Sequence, residues 1–276
     1  LECMSNVGFS FAVSDSHPPI IEVADYVTKA SGGDGAVREI CDIFVNLYHK
    51  GLIYQGERII NWCPRCETAL SDLEVKHQDE NGNLVHIRYP IQGSNQHITV
   101  ATTRPETMLG DTAVAVHPDN PKYATLVGEK VVLPITQRVV PIIADEAVEI
   151  GFGTGALKVT PGHDPVDFEI GQRHNLSIIN ILNQNGTLNE EAGPYAGLDM
   201  QEARKAVMER LNQEGLLDKT EVHKMSIGHC DRCDSVVEPI VSKQWFIKMK
   251  PLAKPAIKAI NDGSINIVPQ RFTRVY

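Results

Sequence analysis

The sequence predicts an α+β protein in which a β-barrel-like body is inserted into a zinc-ribbon-like stem. Three observations predict it. Short apolar segments separated by turn signals fill residues 76–219, the pattern of consecutive strands. Helical periodicity is confined to a few capped stretches within and around that region, and mostly β with a few helices reads as an α+β body. Two Cys-x-x-Cys pairs, Cys63-Pro-Arg-Cys66 and Cys230-Asp-Arg-Cys233, stand on either side of it, and each sits in a turn-like setting that presents two thiolates to one tetrahedral ion.

Taken in order, residues 1–34 are Ser/Gly/Asp-rich, carry Pro18-Pro19 and end in Ser31-Gly32-Gly33-Asp34-Gly35; they read as an extension or linker. From Ala36, the residues Val37, Ile40, Phe44, Leu47 and Tyr48 fall on one helical face, with Gly51 as the stop. Residues 52–62 read as a strand leading into the first cysteine pair, so 35–75 form a helix and the first half of the stem. Within 76–219 strands are predicted at 97–102, 131–135, 139–143, 156–160 and 177–182. One helix starts at Asp164-Pro165, with Asp as N-cap and Pro as first residue. Another runs over 199–212, with Glu202 in capping-box position, Ala203, Val207 and Leu211 on one face, and Gly215 closing it. Residues 220–276 hold the second half of the stem, a strand through Gln244-Trp245-Phe246-Ile247 and a Pro-broken helical stretch.

The cysteine pairs read as one structural zinc site, Cys63, Cys66, Cys230 and Cys233, leaving Cys3 and Cys41 over. No basic n-region followed by an apolar run is seen and nothing approaches transmembrane length. The expectation is therefore a cytoplasmic protein without membrane contact, in which such pairs bind metal rather than form disulfides. The Asn-x-Ser/Thr triplets at Asn175 and Asn185 are then chance sequons. A net charge of -9 argues against a generic nucleic-acid binder. Yet 239–276 carry seven basic residues (Lys243, Lys248, Lys250, Lys254, Lys258, Arg271 and Arg274) against the single acid Asp262, a composition that suits a phosphate backbone and equally a solvated face.

Two runs carry chemistry. Thr102-Thr103-Arg104-Pro105-Glu106-Thr107 follows a strand directly, and hydroxyls beside a guanidinium at a strand end make a polar pocket wall. The run from Gly151 to Asp167 begins Gly-x-Gly-x-Gly but continues as a strand, so it is not a dinucleotide loop. Its end places Asp164 and Asp167 at the N-cap and N3 of a helix, where the dipole keeps a carboxylate ionised and suited to an ammonium group. His163 lies beside them without a Ser or Cys nucleophile, so no covalent role is assigned to it. His-Glu-x-x-His is absent, which excludes that metallohydrolase pattern. Lys224-Met225-Ser226-Ile227-Gly228 lacks the second lysine of an ATP-handling Lys-Met-Ser-Lys-Ser loop and is treated as coincidence.

Asn61-Trp62-Cys63-Pro64, Thr102 to Thr107, Gly153 to Asp167 and Ser242-Lys243-Gln244-Trp245-Phe246 together resemble, in order, the central portion of the bacterial valyl-tRNA synthetase family, from Ala36 onward. The Thr-Thr-Arg-Pro run is shared with leucyl-type enzymes; the run through Lys158, Thr160, His163, Asp164 and Asp167 tilts the choice to valine. The resemblance implies that 76–219 are an inserted editing domain that hydrolyses threonyl-tRNA(Val). Threonine is nearly isosteric with valine, and this family is itself the general example of a hydrophobic pocket that cannot reject an added hydroxyl. The resemblance further implies that Asp167 grips the α-ammonium and that Arg104, Thr107, Lys158, Thr160 and Asp164 surround the hydroxyl and the ester. Phe152 and Glu149 would receive the terminal adenosine, with Thr102, Thr103 and His163 completing the substrate wall. An activated ester needs a positioned water rather than a protein nucleophile, so no cofactor beyond structural Zn2+ is expected.

The partner implied is the tRNA(Val) acceptor end; ATP and valine would bind only a full-length synthetase. No His-Ile-Gly-His signature occurs, so the chain is expected not to form valyl-adenylate by itself and to be a fragment. Two further readings stay open. One is a zinc-stabilised tRNA-binding module without catalysis; the other is the editing domain of a leucyl- or isoleucyl-type synthetase.

Overall fold

A single long strand, exposed along most of its first half and carrying buried Leu84, Val85, Ile87 and Tyr89 in its second, organises the body of the protein. The computed structural model describes residues 11–24 and 26–268. Cys3, Arg271 and Arg274 lie outside the described residues. The chain divides into two compact units, one drawn from both ends of the chain (up to Arg58 and from Lys243) and one over Ile59–Ser242.

In the larger unit that strand, β5 (Val75–Pro90), pairs antiparallel with β6 (His97–Thr102) on one side and β11 (Leu217–Cys230) on the other. A second sheet has the order β10-β7-β9-β8. Its strands are β7 (Ala113–Val116), β8 (Lys130–Val132), β9 (Val139–Ala144) and β10 (Ala156–Val159), with β7 and β9 parallel and the other pairs antiparallel. All four residues of β7 are buried, because alternate side chains point to opposite faces. Val114 and Val116 join the main core with Ile87, Tyr89 and Val100, while Ala113 and Ala115 meet Val148, Val159 and Ile170 on the other face. The small alanines let the helix that carries Ile170 approach the sheet.

Two helices form where their caps predict. In α3 (Pro165–Arg173) the Asp164 side chain accepts from the N–H groups of Val166 and Asp167. In α4 (Met200–Gln213) Asp199 and Glu202 form the reciprocal capping box, and Met200, Ala203, Val207 and Leu211 enter the main core. Gly215 ends it at φ 69°.

The barrel expectation is corrected: the strands form separate sheets, and among the described residues no closed barrel exists. β6 and β10 each end a sheet. At the opposite corner β5 stops at Pro90, which has no N–H to continue the ladder, and only the isolated bridge Ile91↔Val131 joins the two sheets. Two strand predictions also change. The segment 131–135 is cut short because Ile135 turns at φ 66°. At 177–182 there is one bridge, Leu182↔Leu188, because nearby N–H groups bond to side chains instead: Ile181 to His163 and Leu182 to Asn180.

In the smaller unit the predicted helix is α2 (Ala36–His49), followed by Gly51 at φ 66°. Phe44 and Tyr48 meet Trp245 edge-on at 5.2 and 5.9 Å, while Val37 remains exposed. The helix α5 (Met249–Asn261) accommodates Pro255. The described part of the N-terminal segment is more than a linker. It carries a parallel pair, β1 (Phe11–Ala12) with β2 (Tyr26–Val27), and a short helix, α1 (Pro18–Val23). Glu39 of α2 accepts bonds from Tyr26, Lys29 and Ala30. Strands β3 (Ile53–Cys63), β4 (Thr68–Leu70) and β12 (Glu238–Ile247) form a further sheet in the order β12-β3-β4. Among the described residues no helix is long and apolar enough to cross a membrane.

Candidate functional site

The end of β6, the end of β10 and the start of α3 converge on a cavity of about 530 Å³ within the larger unit. It is lined by Thr102, Thr103, Arg104 and Thr107 from the first, Lys158 from the second, and His163, Asp164 and Asp167 from the third. Glu149 and Phe152 from the preceding loop also line it, so it gathers every predicted pocket residue except Thr160. That residue is 1% exposed and lies behind the wall. The sequence reading missed His223 and Met225 of β11, which also line the cavity; Phe152 meets His223 edge-on at 5.7 Å. The volume suits a small ligand held by a few convergent polar groups.

Asp164 spends one oxygen on its helix cap, accepting from Val166 N at 2.8 Å and Asp167 N at 3.1 Å. Asp167 is 4% exposed, and its Oδ2 accepts from Thr160 N at 2.8 Å. Its Oδ1 has no protein hydrogen-bond partner among the described residues. Burial, with a smaller push from Asp164 and against the pull of Lys158, raises its pKa to about 7. The helix dipole therefore does not keep this carboxyl ionised on its own, because desolvation outweighs it.

Behind the wall lies a buried network the sequence reading did not find. Lys158 Nζ donates to Thr107 Oγ1 at 2.8 Å, Thr160 Oγ1 at 2.6 Å and Asp111 Oδ1 at 3.4 Å. Thr160 Oγ1 donates to Asp111 Oδ1 at 2.5 Å, and Tyr89 OH to Asp111 Oδ2 at 2.7 Å. Burial pushes the Asp111 carboxyl up; Lys158 and the hydroxyls of Thr160 and Tyr89 oppose that by favouring its charged form. The one sequence signal was a charged residue, Asp111, separated by Thr112 alone from a fully apolar strand. Because Lys158 and Asp111 are both buried, Lys158→Met leaves a carboxylate without its cation. It is expected to cost about 3–5 kcal/mol in urea unfolding, and the double variant Lys158→Met/Asp111→Asn is expected to recover part of it.

Arg104 and His163 are held by the protein. Arg104 donates to the His163 carbonyl at 2.9 Å and pairs with the Glu238 carboxylate. Glu106, fully buried, takes two bonds from Arg204 at 2.8 and 2.7 Å. His163 Nε2 accepts from Ile181 N at 2.9 Å, so the ring proton sits on Nδ1, facing the Pro239 carbonyl at 3.3 Å. Burial, and then Arg104, hold its pKa down to about 3. With both nitrogens engaged, His163 has neither the proton affinity nor the free lone pair of a general base.

The four cysteines Cys63, Cys66, Cys230 and Cys233 are brought together by the ends of β3 and β11, with all four sulfurs within 4.8 Å of one another. Tetrahedral thiolate ligation at about 2.3 Å places sulfurs about 3.8 Å apart, so the donor set fits a metal ion. Cys66 N donates to Cys63 Sγ at 3.3 Å, as in a metal-binding turn. Cys41 is exposed on α2 and apart from this group.

The family model for tRNA synthetases class I (I, L, M and V) matches residues 24–276, reaching further upstream than the motifs. The valine–tRNA ligase of Dehalococcoides mccartyi is 60% identical over 242 residues, 88% of this chain and 28% of that protein. Those of Clostridium tetani and Syntrophotalea carbinolica are 52% and 53% identical over 243 residues, 88% of this chain and 27% of each. The chain thus spans little more than a quarter of the length of these relatives. It belongs to the class I tRNA synthetases, and the relatives it resembles at such identity are valine–tRNA ligases.

Proposed function

We propose that residues 76–219 are an editing domain that hydrolyses threonyl-tRNA(Val) by water attack on the aminoacyl ester. The observation that supports this reading is the shared cavity, lined together by the strand-end hydroxyls, Lys158, Asp164 and Asp167. The open oxygen of Asp167 receives the α-ammonium of the bound amino acid. Thr107, with Lys158 and Thr160 behind it, meets the side-chain hydroxyl, and Arg104 and Asp164 border the ester. The half-exposed Phe152 and exposed Glu149 at the rim receive the terminal adenosine. No nucleophilic side chain is required, because an aminoacyl ester is activated and a held water suffices.

In the same reading, 35–75 and 220–276 are the two halves of the stem, and Zn2+ on the four cysteines ties them together without entering the hydrolysis. A full-length cytoplasmic synthetase would add the sites for ATP and valine. The test is release of free amino acid from threonyl-tRNA and valyl-tRNA built on the same valine acceptor, with tRNA binding followed in parallel by filter retention. Threonine is expected to be released at least about tenfold faster than valine, since valine leaves a buried acceptor unpaired. Equal release of both, or none from a folded sample that retains tRNA, overturns the reading.

A further inference from the structure

The geometry assigns Asp111 as a positioning residue that fixes the direction of the hydrogen bonds behind the cavity wall. Thr107 then accepts a hydrogen bond from the bound side chain and offers it none. The assignment rests on the editing reading and deepens it, since it names what makes that site selective for a hydroxyl donor.

Asp111 is fully buried and does not itself line the cavity. A carboxylate can only accept. Its Oδ1 takes the single hydroxyl proton of Thr160 and its Oδ2 that of Tyr89. Burial and the nearby Asp111 charge push the Tyr89 pKa well up, so its proton stays on. With its own proton given to Asp111, Thr160 can only accept from Lys158. The three protons of Lys158 are then directed at Thr107, Thr160 and Asp111, all within the protein. Thr107 in turn donates to the Arg104 carbonyl at 2.9 Å. Every proton of the network is thereby committed inward, and what Thr107 presents to the cavity is a lone pair.

A threonine side chain donates its hydroxyl to that lone pair. Valine places a methyl group there and leaves the acceptor dry. An amide at position 111 would keep the size of Asp111 but replace one acceptor oxygen by a donor, which confronts a hydroxyl proton and forces it to turn. Direction is lost while volume is kept.

The experiment compares the full chain with Asp111→Asn on threonyl- and valyl-tRNA, recording kcat and KM for each, with thermal unfolding as the control for folding. The threonine-to-valine ratio is expected to fall by about tenfold, carried mainly by a higher KM for threonyl-tRNA. A folded variant that keeps the parent's ratio overturns the assignment while leaving the editing reading intact. A parent chain without threonine preference overturns the editing reading and this assignment with it. Should the variant fail to fold, the carbon-13 carboxyl resonance of Asp111 in the parent at pH 7 decides. An ionised carboxylate coupled to slowly exchanging Thr160 hydroxyl and Lys158 ammonium protons supports the assignment. A protonated Asp111, which would donate, overturns it.

Discussion

If residues 76–219 edit as proposed, Asp167→Ala removes the counter-ion for the α-ammonium, and threonine release from threonyl-tRNA(Val) is expected to fall by about ten- to a hundredfold. The magnitude is that of a hydrogen bond to a charged group, about 1.5–3 kcal/mol. Only one Asp167 oxygen is used internally, on Thr160 N, so the loss falls on the ligand more than on the fold. The same burial that makes the site selective makes it pH-dependent. The Asp167 pKa lies at about 7, and only the ionised form attracts an ammonium ion. In the parent, kcat/KM should therefore rise as pH increases through about 7 and fall again once the substrate's own α-amino group loses its proton, at about 8. Asp167→Asn should lose the rising limb of the profile along with the activity.

Stability should move the opposite way. A folded pKa raised above the unfolded value contributes stability that is complete below the unfolded pKa, about 3.9, and is lost as pH rises through about 7. Asp167→Asn lacks this ionisable group. It should be more stable than the parent above pH 7, with the difference closing as pH falls toward 4. Denaturant unfolding at pH 5 and 8 measures it, and a variant no more stable than the parent at pH 8 would show that the carboxyl is not desolvated as the structure implies.

α3 and α4 were readable in the sequence because their caps are local chemistry: Asp164 before Pro165, and Asp199 paired with Glu202. The Thr102–Thr107 wall and the Asp164/Asp167 pair were readable as motifs. Strands β5 and β11 were not, because half of β5 is the polar run Lys-His-Gln-Asp-Glu-Asn-Gly-Asn, paired with β11 and largely open to solvent on both faces. With them went His223 and Met225 at the cavity. Asp111 and Tyr89 were hidden for a different reason. A buried carboxylate is defined by partners 47 and 49 residues along the chain, Lys158 and Thr160, and 22 residues back, Tyr89. No local pattern announces such a set. The failure of the barrel to close was equally non-local, since β6 and β10 end separate sheets.

Removing the metal should produce a change in stability as large as that of Lys158→Met. The sulfur cluster sits in a hydrophobic group of only Cys63, Leu70, Cys230 and Val237, with Val75 and Cys233 packed against it. That is too little apolar surface to hold the ends of β3 and β11 together. Bound Zn2+ would replace this missing core, since ligation to a site absent from the unfolded chain is folding free energy. The rest of the larger unit has its own core, so the expected loss is a fraction of what a metal contributes to a zinc finger. About 3–5 kcal/mol corresponds to a fall in Tm of about 6–20 °C for a unit of this size. Elemental analysis should give one zinc per chain, and a strong chelator should lower Tm by that amount, reversibly on adding Zn2+. Cys230→Ser should reproduce the loss and Cys41→Ser should not, because Cys41 is exposed on α2 and outside the cluster. Equal Tm values with and without chelator, in a chain that binds no metal, would mean that the four thiols are packed as ordinary small side chains. The ends of β3 and β11 would then be tied only through their strand partners, β4 opposite Asn61 to Cys63 and β5 opposite Cys230, with Arg232 paired to Glu74.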